Sequence, residues 1–228
     1  MIGIIAAMEI EAEGIRSKMT GKKAETVGGI SFVSGKVGDR DVVTAVCGMG
    51  KVFAAMCAQS MILRFKPDVI VNTGVAGTLT GRVHIGDVVI SRDLVQHDLD
   101  TSPIGNPPGS LPELGLTYFP ADARVISILE KALEGEGVHY IVDTIASGDQ
   151  FLEDSARKKE IAEYFHAAAC EMEGAAVAQV CYVNGVPFGV LRAISDEADG
   201  SAGADFASFT AKAAANTITA LETFIKEW

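Results

Sequence analysis

The chain has 228 residues, 48% of them hydrophobic and 21% charged, with a formal net charge of −11. That size suits one domain with a full apolar core and excludes a mainly disordered chain. The acidic balance, without any Lys/Arg block, argues against nucleic-acid binding and against an anionic membrane surface, and no apolar run of about 18 residues is present to span a bilayer.

The opening "MIGIIAAMEIEAEG" has no basic start and turns acidic early, so it does not read as a signal peptide. It continues as a short buried strand, then a Glu-rich helix over about 8–19. "GGISFVSGKVGDRDVVTAVCGMG" alternates β-formers with turn residues and predicts two or three strands, the last near 41–47. "KVFAAMCAQSMILRF" has helical spacing and stops before Pro67.

"DVIVNTGVAG" predicts a strand ending in a glycine turn, and "IGDVVISRDLVQHD" another strand. Residues 99–120 are rich in Pro, Gly and Ser and form the longest candidate loop, of the kind that serves as a lid. "ADARVISILEKALEG" predicts an amphipathic helix ended by Gly135. "YIVDTIASGDQF" predicts a strand and turn, and "SARKKEIAEYF" a helix. "AAACEMEGAAVAQVC" places Glu171 and Glu173 in an otherwise small and apolar segment. "VPFGVLRAISDEAD" is a further strand with a polar exit, and "DFASFTAKAAANTITALETFIKEW" a long last helix.

Alternating strands and helices predict a single-domain α/β fold over 1–228, with a central mixed β-sheet flanked by helices. Ligands in such folds collect where strand ends feed turns. Cys47, Cys57, Cys170 and Cys181 form no CxxC pair and read as small buried hydrophobes in a reducing, cytoplasmic compartment. The four histidines are scattered, so no metal site is expected.

Six strand ends share an apolar run followed by a glycine or an acid: "AAMEIE", "VCGMGK", "NTGVAG", "ASGDQF", "CEMEGA" and "RAISDEAD". None matches GxGxxG or GxxxxGK[ST], and there is no GxSxG. Glu11, Glu173 and Asp196 lie at three separate ends, with Arg192 four residues before Asp196. Carboxylates in an apolar site can divide acid and base roles when their environments push their pKa values apart. Each also has a plain structural explanation. Glu11 and Glu173 suit helix first turns, Asp196 a turn cap, and Arg192 an ion pair. The residues alone lead to an acid-lined pocket and no further.

Taken in order and spacing, these segments resemble the 5′-methylthioadenosine/S-adenosylhomocysteine nucleosidase family of the nucleoside phosphorylase superfamily, over nearly the whole chain. The resemblance implies hydrolysis of an N-glycosidic bond in a small nucleoside, with release of adenine and the 5-substituted ribose. It implies no cofactor, no metal and a homodimer. In its terms Glu173 holds the ribose hydroxyls, Met172 packs against the sugar, and Glu171 is mainly structural. Asp196, placed by Ser195, protonates N7 of the purine, and Glu11 acts as base toward a water positioned by Arg192. Phe151 stacks on the purine, the backbone near Leu152 reads its edge, and Met8 and Met49 line the ribose side. Val75, Ala76 and Gly77 of "NTGVAG" join the lining.

Some members of the family carry Ser after "NTG"; Val75 offers no hydroxyl, leaving Glu11 and Arg192 to hold the water. In the family the 99–120 loop reaches the neighbouring subunit's pocket, which points to Ile104 and Pro107. Two related reactions stay open: phosphorolysis, disfavoured where a phosphate would meet Glu9 and Glu11, and hydrolysis of 6-amino-6-deoxyfutalosine, which breaks the same bond. A nucleoside-binding protein without turnover would need neither Glu11 nor Asp196 as an acid.

Overall fold

The computed structural model describes residues 1–197 and 202–228. Strand β1 (Ile2–Ala6) is buried at every position and feeds α1 (Glu9–Lys18). Three antiparallel-linked strands follow, β2 (Thr20–Val27), β3 (Ile30–Val37) and β4 (Arg40–Val46), and then α2 (Lys51–Phe65). Next come β5 (Val69–Thr78), β6 (Val88–Gln96), the two-residue β7 (Phe119–Pro120), α3 (Ala123–Glu136) and β8 (Tyr140–Ser147). The chain continues through α4 (Ser155–Phe165), β9 (Ala167–Glu171), α5 (Gly174–Asn184) and β10 (Phe188–Asp196) to α6 (Ala202–Glu227).

All ten strands belong to one mixed sheet in the order β10-β6-β8-β9-β5-β1-β4-β3-β2, with β7 beside β6. A further parallel pairing of β10 with β5 joins the two sides of the first part. The strands β5, β10, β6, β8 and β9 therefore form a closed ring, and β1 to β4 extend from it as an open arm. The ring brings the ends of β5, β9 and β10 together: Gly77 is paired with both Cys170 and Asp196.

Helices cover both faces. The small residues of α2 and α5, among them Ala54, Ala58, Ala175 and Ala178, pack with Phe32, Ile70 and Phe119 on one face. Residues Ile15 of α1, Leu129 of α3 and Leu221 and Phe224 of α6 pack with Ile4, Val71 and Leu191 on the other. Each such large side chain contributes about 1.5–3 kcal/mol by leaving water.

Four local expectations change. Strand β2 escapes a hydrophobic-period reading because it is largely exposed at the end of the open arm, with Lys22 and Lys23 guarding the edge. Strand β5 does not stop at a glycine turn but runs through Gly74 and Gly77 to Thr78, buried throughout. Helix α3 passes Gly135 and ends at Gly137, whose φ of +67° is the left-handed geometry of a C-terminal stop. The 99–120 loop contains one 3-10 turn (Ser102–Ile104) and β7. Ala198 and Asp199, the end of "RAISDEAD", lie outside the described residues.

Candidate active site

One cavity, with about 600 Å³ of empty space counting the open solvent at its mouth, sits where these strand ends converge. Glu11, Arg192 and Asp196 line it, together with Met8, Met49, Val75, Ala76, Gly77, Phe151, Leu152, Met172, Glu173 and Ser195. Ile104 and Pro107 do not; both are exposed on this chain, Ile104 at 80%. Ala7, Gln150, Cys170 and Glu171 also line the cavity and were not foreseen as lining residues.

Glu11 stands in the first turn of α1 and is 2% exposed. Its Oε2 accepts the backbone N–H groups of Ala7 (3.0 Å) and Met8 (2.9 Å), and its Oε1 that of Val75 (3.2 Å). The capping role and the cavity role thus belong to the same carboxylate. Burial pushes its pKa above the ordinary carboxylate value, against the opposing pull of Arg192 and the three N–H donors. Gly74 makes room here, since a Cβ would overlap the Arg192 guanidinium and lie 2.8 Å from Glu11 Oε1.

The two acids of "EMEG" divide the work. Glu171 ties down the turn into α5, accepting from Glu173 N (3.1 Å), Gly174 N (2.8 Å) and the Ser147 hydroxyl. It also receives Arg192 Nη2, which donates to Asn72 Oδ1 at 2.6 Å as well. Glu173 accepts from Gly50 N at 2.8 Å and lies 3.6 Å from Arg192. Burial and the neighbouring Glu171 charge push the Glu173 pKa up to about 7. For Arg192, burial opposes the charge, but Glu171, Glu173 and Glu11 together hold its pKa above the usual value.

Asp196 ends β10 and is 4% exposed. Ser195 Oγ donates to its Oδ1 at 3.1 Å, and Lys158 Nζ to its Oδ2 at 3.0 Å. Gly77 passes directly beneath, where a Cβ would come within 2.6 Å of Oδ2. Lys158 escaped the sequence reading although its signal was there. It shares the buried stripe of α4 with Ile161 and Phe165, and a charge in such a stripe needs a partner.

The mouth is apolar and more open, with Met49 66% and Phe151 48% exposed. Behind it, Lys51 Nζ donates to Asp98 (2.5 Å) and Gln96 (3.0 Å), while Asp98 accepts from Asp149 N (2.8 Å). Asp149 Oδ1 in turn accepts from Lys51 N (2.7 Å). This ring of polar contacts ties the segment carrying Phe151 to the start of α2. Among the described residues, no group of three or more His, Cys, Asp or Glu could hold a metal ion.

The family model of the phosphorylase superfamily matches residues 1–226 of this chain. A 5′-methylthioadenosine/S-adenosylhomocysteine nucleosidase from Shewanella halifaxensis is 40% identical over 214 residues, covering 93% of each chain. The crystal structure of the Neisseria meningitidis nucleosidase of that name, in complex with methylthio-immucillin-A, superposes with a TM-score of 0.96 at 35% identity, covering 100% of this chain and 99% of that one. A futalosine hydrolase of Helicobacter pylori superposes with a TM-score of 0.95 at 33% identity, covering 100% and 97%. The chain belongs to the 5′-methylthioadenosine/S-adenosylhomocysteine nucleosidase family of the phosphorylase superfamily.

Proposed function

We propose that the protein hydrolyses the N-glycosidic bond of 5′-methylthioadenosine and S-adenosylhomocysteine, with 5′-deoxyadenosine as a further substrate, releasing adenine and the 5-substituted ribose. The observation that carries this reading is the convergence of Glu11, Glu173 and Asp196, from three distant segments, on one cavity. Asp196 protonates N7 so that adenine leaves as a neutral base, which is worth about a hundred- to ten-thousand-fold in rate. Glu11 takes the proton of the attacking water, and Arg192 orients that water. Glu173 accepts from the ribose hydroxyls and favours the positive charge that develops on the ring. Met8, Met49 and Met172 pack the sugar; Phe151 stacks on the purine beside Leu152, and Ser195 orients Asp196.

The test is adenine release from 5′-methylthioadenosine in buffer with and without phosphate. Release independent of phosphate supports hydrolysis. Release only with phosphate means phosphorolysis, and none means a binding protein. Arg192, the cation lining the cavity, is already engaged by Glu171, which disfavours phosphate as the nucleophile. The likeness to a futalosine hydrolase supports a second reading, cleavage of 6-amino-6-deoxyfutalosine at the same bond, and a parallel assay with that substrate separates the two.

We further infer a cytoplasmic homodimer acting in methionine salvage. Val52, Phe53 and Met56 on α2 and Val183 on α5 leave an exposed apolar surface suited to a second copy. The 99–120 loop, through Ile104 and Pro107, would then cover the neighbouring cavity. Four buried free cysteines suit a reducing compartment, and no described helix is long and apolar enough to cross a membrane.

A further inference from the structure

Helix α4 turns Lys158, Ile161 and Phe165 toward the sheet, the spacing of a core-facing stripe. That stripe asks for an apolar side chain at 158. Instead it holds a lysine that is 1% exposed, with Nζ 3.0 Å from Asp196 Oδ2 and 2.7 Å from the Glu197 carbonyl oxygen. Taking both members of an ion pair out of water costs much of what their attraction returns, so a pair this well hidden is weak evidence of a stabilising role.

The pair also raises a difficulty for Asp196 as an acid. A neighbouring cation favours the carboxylate, and a carboxylate has no proton for N7. The difficulty goes away when the two groups are taken as one titrating unit. Ammonium with carboxylate, and amine with carboxylic acid, differ only by a proton moved along one hydrogen bond, and neither form carries net charge. In a site poor in water the second form is not disfavoured as it would be in bulk solvent.

Resting on the assignment of Asp196 as the acid toward the purine, we propose that Lys158 is a positioning and proton-supplying residue that acts through Asp196. A proton passes from Nζ to the Asp196 carboxylate, and the resulting acid protonates N7 as the electrons of the C1′–N9 bond move into the purine. Adenine leaves neutral, Asp196 returns to carboxylate, and Lys158 is left as the amine. Water adds to C1′ and its proton goes to Glu11. The cycle closes when Glu11 releases that proton to solvent and Lys158 takes one up, so no external reductant, oxidant or metal is needed. The apparent acid of the reaction is then the pair, and it keeps a proton to give at a pH where an isolated carboxyl would already be ionised.

The experiment measures adenine release from 5′-methylthioadenosine by the full chain, across about pH 5 to 10, for the unsubstituted protein, Lys158→Arg and Lys158→Met. A guanidinium keeps the charge but does not give up a proton in proteins, so Lys158→Arg should lose about a hundred-fold in kcat with KM changed only a few-fold. In Lys158→Met, Asp196 loses the Lys158 ammonium, and with it the attraction that favours the carboxylate, so it holds its own proton at low pH. Its rate should recover in acid, and its alkaline limb should move down by about one pH unit or more. Lys158→Arg with the unsubstituted kcat and pH profile overturns the proposal. Should either variant fail to fold, the Nζ nitrogen resonance of Lys158 in the unsubstituted protein decides. It should titrate together with the alkaline limb of kcat/KM, and an Nζ that stays ammonium through that limb overturns the proposal. Absence of adenine release by the unsubstituted protein would remove the functional assignment itself, and this inference with it.

Discussion

Glu173 Oε1 accepts the backbone N–H of Gly50 at 2.8 Å, across 123 residues of sequence. This contact fixes the start of α2 against the turn into α5, and it leaves Glu173 facing the cavity with a pKa pushed up to about 7. Because the folded value lies above the unfolded one, the stability linked to Glu173 is fully present below pH 4.5 and is lost as pH rises through about 7. Glu173→Gln should flatten that part of the melting-temperature profile. It should also raise KM for the nucleoside by about ten-fold or more, the usual loss when a charged acceptor becomes neutral.

As the proposed base toward water, Glu11 has to be ionised to take up a proton. Its raised pKa places the acid limb of kcat/KM above the ordinary carboxylate range, and activity should fall as pH drops through that limb. Glu11→Gln should abolish the limb and lower kcat by about a hundred-fold or more. A pH–rate profile of both proteins checks this, and an unchanged limb in the variant would reassign it.

Asp196→Asn should remove adenine release by about a hundred- to ten-thousand-fold. It should also cost more stability than Glu11→Gln, because it leaves the ammonium of Lys158 buried opposite a neutral amide. Breaking a buried pair in this way costs about 3–5 kcal/mol. Parallel thermal melts of the two variants measure the difference.

Gly77→Ala places a methyl within 2.6 Å of Asp196 Oδ2, a side chain with little freedom to move. An ångström of displacement at a reacting group can cost about a hundred-fold, so kcat should fall with the fold kept. Asp98→Ala acts further out, by releasing Lys51 and the Asp149 backbone. It should raise KM by about five- to ten-fold, roughly the value of one hydrogen bond, with kcat little changed. Steady-state kinetics with 5′-methylthioadenosine separates the two patterns.

The fold class was readable because most strands are short apolar runs separated by clear helical periods, as in 69–73 and 123–136. Strand β2 was not, since its stability comes from backbone pairing with β3 rather than from a buried face. The glycines of "NTGVAG" were visible, but their purpose was not. They clear space for Arg192, Glu11 and Asp196, which lie more than a hundred positions apart in part. The site acids stood out as charges in apolar surroundings. The contacts that position them, Lys158 with Asp196 and Lys51 with Asp98, cross 38 and 47 residues, so even where the chain marks one member, as the charge in the α4 stripe marks Lys158, it does not name the partner.

The strand that shuts the ring, β10, is also the one that carries Arg192, Ser195 and Asp196. During synthesis it emerges after every other strand and must insert between β5 and β6, whose residues were translated about a hundred positions earlier. A nascent chain short of it has neither a closed ring of strands nor Asp196 in the cavity. Catalytic competence therefore arrives late and all at once, and loss of activity on truncation should report ring closure rather than the removal of an isolated side chain.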